Sequence, residues 1–143
     1  MAVTAKLYDL AFTSLANKEI DWGTDTVKVM LTTSTYVPNQ ATHQYKSSVT
    51  NEVTGTGYTA RGATLGSKTE AIASHVKTFD AADTSWTTST ITARYAVIYD
   101  SSPASDATRP LLGYVDFGAD VVSTAGTFSI TWDPAGIFSI TVA

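Results

Sequence analysis

The 143-residue chain contains no cysteine. It therefore has no disulfide framework, no thiolate zinc site and no thiol nucleophile. Charge is also scarce: 15% of residues are charged, against about 25% in an ordinary soluble domain. Basic charge is the scarcer sign, with 9 Lys and Arg against 13 Asp and Glu and a net charge of −4. That argues against a nucleic-acid binder, which needs a positive footprint to neutralise phosphates. Apolar runs are only a few residues long, well short of the roughly 20 that cross a bilayer. Met1-Ala-Val-Thr-Ala-Lys6 supplies no basic region before a clean apolar stretch, and Asp9 interrupts the apolar residues 7–12. A secretory signal is not expected. No Asn carries a Ser or Thr two residues on, so there is no N-glycosylation acceptor.

Hydroxyls stand where charges usually do. The chain has 25 Thr and 14 Ser, about 27% of its residues. Its length suits one domain, 1–143, with enough chain to bury a core unaided. Acidic charge gathers late: residues 1–69 hold six basic and five acidic groups, residues 70–143 three and eight. Most of these acids fall in turn-like stretches, as solvated loop tips do.

Residues 4–17, within an N-terminal segment 1–20, are expected to form one short amphipathic helix. Leu7, Leu10, Phe12 and Leu15 supply its apolar face, and Thr4 its N-cap. Val27, Val29 and Leu31 alternate with Lys28, Met30 and Thr32, the period of a half-buried strand. Pro38 biases Val37 to an extended conformation and ends any ladder there. Residues 36–54 are expected to be a long polar loop with one helical turn around 42–48, and long loops are often functional.

From Gly55 onward the pattern is β. Residues 58–65 alternate weakly, and residues 71–79 place Ala71, Ala73, His75, Lys77 and Phe79 on one strand face. Ile91–Tyr99 is the strongest strand, apolar on both faces and so central. Residues 111–117, 126–132 and 136–142 come next as strands, the last two joined as a hairpin by Asp133-Pro134-Ala135-Gly136. The expected fold is a mostly β, antiparallel, jelly-roll-like β-sandwich with one short N-terminal helix.

Residues for chemistry are few. His43 and His75 lack metal-ligand spacing, and no Gly-x-Ser-x-Gly elbow exists. Asp80-Ala-Ala-Asp83 lacks the alternation of a calcium loop and fits a turn. Gly55, Gly57, Gly62 and Gly66 precede no Gly-Lys-Ser/Thr, so no phosphate loop is supported. Nothing here points to an enzyme. With six Lys, strand edges are thinly guarded, while Tyr and Trp are available for contact. Some edge or face is therefore expected to be covered by a partner, the chain itself or another protein.

Several phrases carry a family likeness across nearly the whole chain. They are Ala5-Lys-Leu-Tyr-Asp-Leu-Ala-Phe12, Ile20-Asp21-Trp22, Asp25-Thr-Val-Lys-Val-Met-Leu31 and Tyr36-Val37-Pro38. They continue in Tyr58-Thr-Ala-Arg61, Phe79-Asp-Ala-Ala-Asp83, Ala96-Val-Ile-Tyr-Asp100, Leu111-Leu-Gly-Tyr-Val-Asp116 and Trp132-Asp-Pro-Ala-Gly-Ile137. In these the chain resembles the capsid decoration, or cement, proteins of tailed bacteriophages. Similar chains are also labelled head-fibre, tail-fibre or minor-tail components. The resemblance implies a sandwich bound outside a capsid shell, with the phage major capsid protein as partner. It implies no cofactor, metal or catalytic residue. Contact is expected from Leu7, Tyr8 and Phe12 and from Tyr36, Pro38, His43 and Tyr45, although Leu7 and Phe12 also suit packing of the helix onto the sandwich. A homodimer on capsid two-folds is the first expectation for assembly, a trimer the second. The competing expectation is a tail or head-fibre module that binds a host receptor or carbohydrate. Exposed Trp22 or Trp86 would suit sugar stacking, and buried ones a scaffold.

Overall fold

The computed structural model describes residues 2–143. Two antiparallel sheets face each other as a β-sandwich. The larger is built from β1 (Thr4–Leu7), β2 (Val27–Thr32), β3 (Ala63–Thr64), β6 (Thr84–Asp100) and β7 (Leu111–Ile130), in the order β1-β7-β6-β2-β3. The smaller holds β4 (Thr69–Ala73), β5 (Val76–Asp80) and β8 (Phe138–Thr141), in the order β4-β5-β8. One short helix, α1 (Ala11–Ala16), follows β1. The mostly β sandwich with one short helix is thus what the chain forms.

Alternation decides which side chains go where. Val27, Val29 and Leu31 enter the core between the sheets, beside Trp22, Trp86, Phe128, Trp132 and Phe138. Met30 points to the opposite face of the large sheet, into a second cluster with Tyr8, Tyr36, Val97, Tyr99, Leu111 and Tyr114, so β2 is buried on both faces rather than half-buried as its alternation suggested. Ala96–Tyr99 are buried on both faces, as a central strand should be. Each fully buried large apolar side chain contributes about 1.5–3 kcal/mol, so both faces of this sheet stabilise the fold.

β6 and β7 are longer than the separate strands expected from composition. They run as one ribbon, interrupted where Ala93 pairs with Val121 but Tyr95 with Asp116. Gly118, at φ 78°, turns the extra residues out. Asp116 Oδ1 holds the bulge by accepting from Gly118 N at 2.8 Å and Arg94 Nε at 3.0 Å.

Four local expectations are corrected. Residues 4–17 are not one helix: Thr4–Leu7 pairs with β7, Thr4 opposite Asp116 and Leu7 opposite Gly113. Period-2 placement sends Leu7 to the inter-sheet core and Tyr8 to the second cluster. Thr4 caps nothing; Leu10 occupies the cap position without a side-chain bond. Secondly, residues 58–62 form a turn and only Ala63–Thr64 is strand. Thirdly, the Asp133–Gly136 turn forms, with Gly136 N bonded to Asp133 O at 2.8 Å, but it joins no hairpin. Residues 128–130 pair with β6, and β8 pairs with β5, Phe138 opposite Phe79. The turn carries the chain from one sheet to the other, and Ile137 N anchors the crossing on Phe79 O.

Fourthly, residues 71–79 are a hairpin rather than one strand. Ser74 and His75 form its two-residue turn with φ 50° and 66°. Positive φ at both positions is the type I′ arrangement, which favours Asn-Gly. The double substitution Ser74→Asn, His75→Gly is expected to raise stability by about 1 kcal/mol. Urea titration would show an increased midpoint at constant slope; an unchanged or lower midpoint would contradict the strain ascribed to this turn.

Candidate functional site

The 36–54 segment is irregular apart from one 3-10 turn, Lys46–Ser48, inside the stretch expected to hold a helical turn. Its first part lies over the outer face of the large sheet, where Tyr36 and Val49 join the second cluster, and its end runs beside β2, where Val53 N bonds Leu31 O at 2.9 Å and Val53 enters the inter-sheet core. Leu111 N bonds Gln44 O at 2.8 Å, Lys46 N bonds Arg109 O at 2.9 Å and Ser47 N bonds Asp106 O at 2.9 Å. Side chains fasten the same seam. Asp106 accepts from buried Lys46 Nζ at 3.0 Å and from Arg109 Nη1. Burial alone would raise the Asp106 pKa; the bonds from Lys46 and Arg109 outweigh it and hold the carboxyl below its ordinary range. Sequence reasoning missed this cluster because Lys46 lies 60 positions from Asp106.

The same segment is tied to the N-terminal region. Gln40 Nε2 donates to Leu7 O at 3.0 Å, and Asp9 N to Gln40 O at 3.0 Å. Gln44 Nε2 reaches Ser14 Oγ at 3.3 Å, and Tyr45 OH donates to the Glu19 carboxylate at 3.2 and 3.3 Å. The two segments expected to make contacts are therefore fastened to each other.

Their residues divide between foundation and surface. Tyr8 and Tyr36 are 0% and 2% exposed, so neither is a surface contact. Alternation past β1 turns Tyr8 inward, and Tyr36 follows it into the same cluster. Their hydroxyls lie 2.9 Å apart, and Tyr36 OH is 2.9 Å from His43 Nδ1. Backbone N–H of Asn39 also points at His43 Nδ1, at 3.4 Å, so this nitrogen acts as an acceptor. The consistent ordering has Tyr8 donating to Tyr36 and Tyr36 donating to His43. Burial raises both phenol pKa values and lowers that of His43. These groups stay neutral near pH 7 and act as fasteners.

Leu7 is half-buried against the inter-sheet core. Phe12 is 47% exposed, over an apolar depression shared with Leu15, Trp22 and Ile140. Pro38, His43 and Tyr45 are half-buried. Val37, not singled out in the sequence, is 72% exposed. The bias that Pro38 places on Val37 was legible there; its exposure was not.

The remaining groups of chemical interest are occupied structurally. Asp80 Oδ1 accepts from Ala81 N, and Asp83 Oδ1 from Trp132 N at 2.9 Å. His75 sits in the exposed hairpin turn, away from the strand position expected for it. Among the described residues, no three His, Cys, Asp or Glu side chains gather as a metal site. Trp22, Trp86 and Trp132 are all buried, so no indole face lies open for sugar stacking.

One acid is unusual. Asp100 is fully buried; Oδ1 accepts from Ser102 N at 2.8 Å, and Oδ2 has no hydrogen-bond partner. Burial, reinforced by neighbouring Asp25, pushes its pKa up to about 6. A carboxyl raised on folding contributes stability that is full below its unfolded pKa and lost as pH rises through the folded value. Between about pH 4 and 6 the chain should therefore lose stability from this group. Asp100→Asn imitates the protonated acid. It is expected to add on the order of 1–3 kcal/mol at pH 8 and little at pH 4. Denaturation at the two pH values tests this, and an equal effect at both would contradict it.

No protein-family model matches the chain, and neither a curated protein nor a solved structure matches it.

Proposed function

We propose that this chain is a virion structural protein that binds the outside of a bacteriophage capsid and stabilises the shell by bridging neighbouring major capsid subunits. The observation that carries the reading is the fastening of the N-terminal segment to the 36–48 segment. Ionisable groups suited to chemistry (His43, Tyr36, Lys46, Asp106, Arg109) are instead engaged in holding a surface in shape. Phe12, Val37, Pro38, His43 and Tyr45 are presented on that rigid base. Such a surface loses little entropy on docking. Repeated by shell symmetry, modest contacts of this kind add up through multivalency. The resemblance in sequence phrases points the same way. The buried tryptophans favour this scaffold reading over a carbohydrate-binding fibre module.

Cosedimentation with assembled shells that lack the protein tests the proposal. Binding should saturate at an icosahedral multiple of copies per shell. Absence of binding would overturn it and make glycan binding the next assay.

A further inference from the structure

The small sheet ends in an unguarded edge. All five residues of β4, Thr-Glu-Ala-Ile-Ala, are exposed, and Ile72 is 68% exposed. Natural edge strands are usually protected by Lys, Pro, a bulge or a covering segment. β4 has neither Lys nor Pro and pairs with β5 without a register break. Lys68, one residue upstream, is turned away, with Nζ on Trp22 O and Asp25 O. Glu70, the strand's one charge, is paired with Lys77 at 2.9 Å. The other edges differ: β1 carries Lys6 and has Leu7 O taken by Gln40, β3 has only two residues, and β8 begins with buried Phe138 and lies beside β1, Phe138 and Ser139 sharing a depression with Ala5, Lys6 and Leu7.

We infer that β4 is a homodimer interface, pairing antiparallel with β4 of a second copy about a two-fold axis at Ala71. The register follows from the hairpin. A two-residue turn makes Ala73 and Val76 a hydrogen-bonded pair, and so, alternately, Ala71 with Thr78 and Thr69 with Asp80. The N–H and C=O groups of Glu70 and Ile72 therefore face outward. Centred on Ala71, Glu70 bonds Ile72 of the second copy and Ile72 bonds its Glu70, so every outward group is satisfied. Centring on Glu70 would oppose two carboxylates, a destabilising pair. The Ala71 register instead sets each Glu70 against an isoleucine. It also places the smallest side chain where the two strands come closest. The result is a continuous six-stranded sheet, β8-β5-β4 followed by its mirror order in the second copy. The inference is independent of what the dimer binds.

The absence of native cysteine allows a direct test. At the two-fold, Ala71 lies in a non-hydrogen-bonded pair, with Cα atoms about 4.5 Å apart, within the range a disulfide spans. Ala71→Cys should form a covalent dimer under mild oxidation, whereas Val122→Cys, on the exposed part of β7, should remain mostly monomeric. The wild-type chain should sediment as a concentration-dependent dimer. Ile72→Pro, which removes only an outward N–H, should raise the dimer dissociation constant at least tenfold with an unchanged circular dichroism spectrum. A wild-type monomer or trimer, or a dimer in which Ala71→Cys links no faster than Val122→Cys, would overturn the inference. Should Ile72→Pro unfold, the thiol comparison still decides.

Discussion

Gly62→Ala should destabilise the protein by more than about 3 kcal/mol, lowering the melting temperature by roughly 10 °C. Gly62 has φ +80°, where an L side chain is strained. A Cβ there would lie 1.9 Å from Val29 O and 2.7 Å from Met30 Cα. Both obstacles are backbone atoms of β2, inside the large sheet, and neither can swing aside. The neighbouring turn is held just as firmly. Tyr99 OH donates to Arg61 O at 2.8 Å, and Tyr58 OH accepts from Leu31 N at 3.0 Å. Moving Gly62 outward would loosen these bonds together with the β2–β3 pairing at Val29 and Ala63. Gly66→Ala is the control, because a Cβ there meets nothing within 4 Å. It should change stability by less than about 0.5 kcal/mol. Parallel thermal melts would check the pair, and a Gly62→Ala melt within about 2 °C of wild type would contradict the packing described.

Tyr36→Ala should cost about 3–5 kcal/mol and release the 36–48 cover. The lost ring stacks on His43 at 5.7 Å and meets Tyr95 edge-on at 6.1 Å. The lost hydroxyl bridges Tyr8 and His43. A second readout separates this local loosening from general instability. Burial holds the His43 pKa below its ordinary value, so opening the cover should raise it. A histidine depressed on folding contributes stability that is present above its unfolded pKa and lost as pH falls through the folded value. Wild type should therefore weaken on acidification below about pH 6.5, and Tyr36→Ala should lose less from this source. Proton NMR titration of His43 reports the shift directly. An unchanged His43 titration would show that Tyr36 does not govern the cover. If shell binding uses this surface, Tyr36→Ala should weaken it although Tyr36 touches no partner.

Where structure depends on neighbours in sequence, the amino-acid pattern was sufficient. Alternation at Val27, Val29 and Leu31 marked β2, and the apolar faces of Ile91–Tyr99 marked the centre of the large sheet. Errors arose where a distant partner decides. Thr4–Leu7 is a strand because β7 offers an edge with Gly113, where a Cβ would lie 2.6 Å from Lys6 O. Residues 138–141 leave their neighbours in sequence for β5. Ser74-His75 bends without the Gly or Asn that normally announces a type I′ turn.

The candidate surface was legible as residue types and illegible as burial. Aromatics and His43 clustered in the 36–48 segment, but the chain alone could not show Tyr8 and Tyr36 turning inward while Val37 and Phe12 remain outside. The Lys46–Asp106–Arg109 fastening also joins parts of the chain far apart in sequence. The run of short strands separated by turns anticipated a sandwich, and a sandwich forms; the resemblance and shell binding rest on the experiments proposed.

The most direct test of the central claim is the melting temperature of assembled shells lacking the protein, measured by calorimetry as the purified chain is added. A protein that bridges subunits binds the assembled shell and not its dissociated subunits, so it must stabilise the shell by mass action. The account predicts a shell melting temperature that climbs with occupancy and levels off when binding saturates. Saturable binding with no change in shell melting would contradict bridging, and no binding at all would contradict the capsid assignment itself.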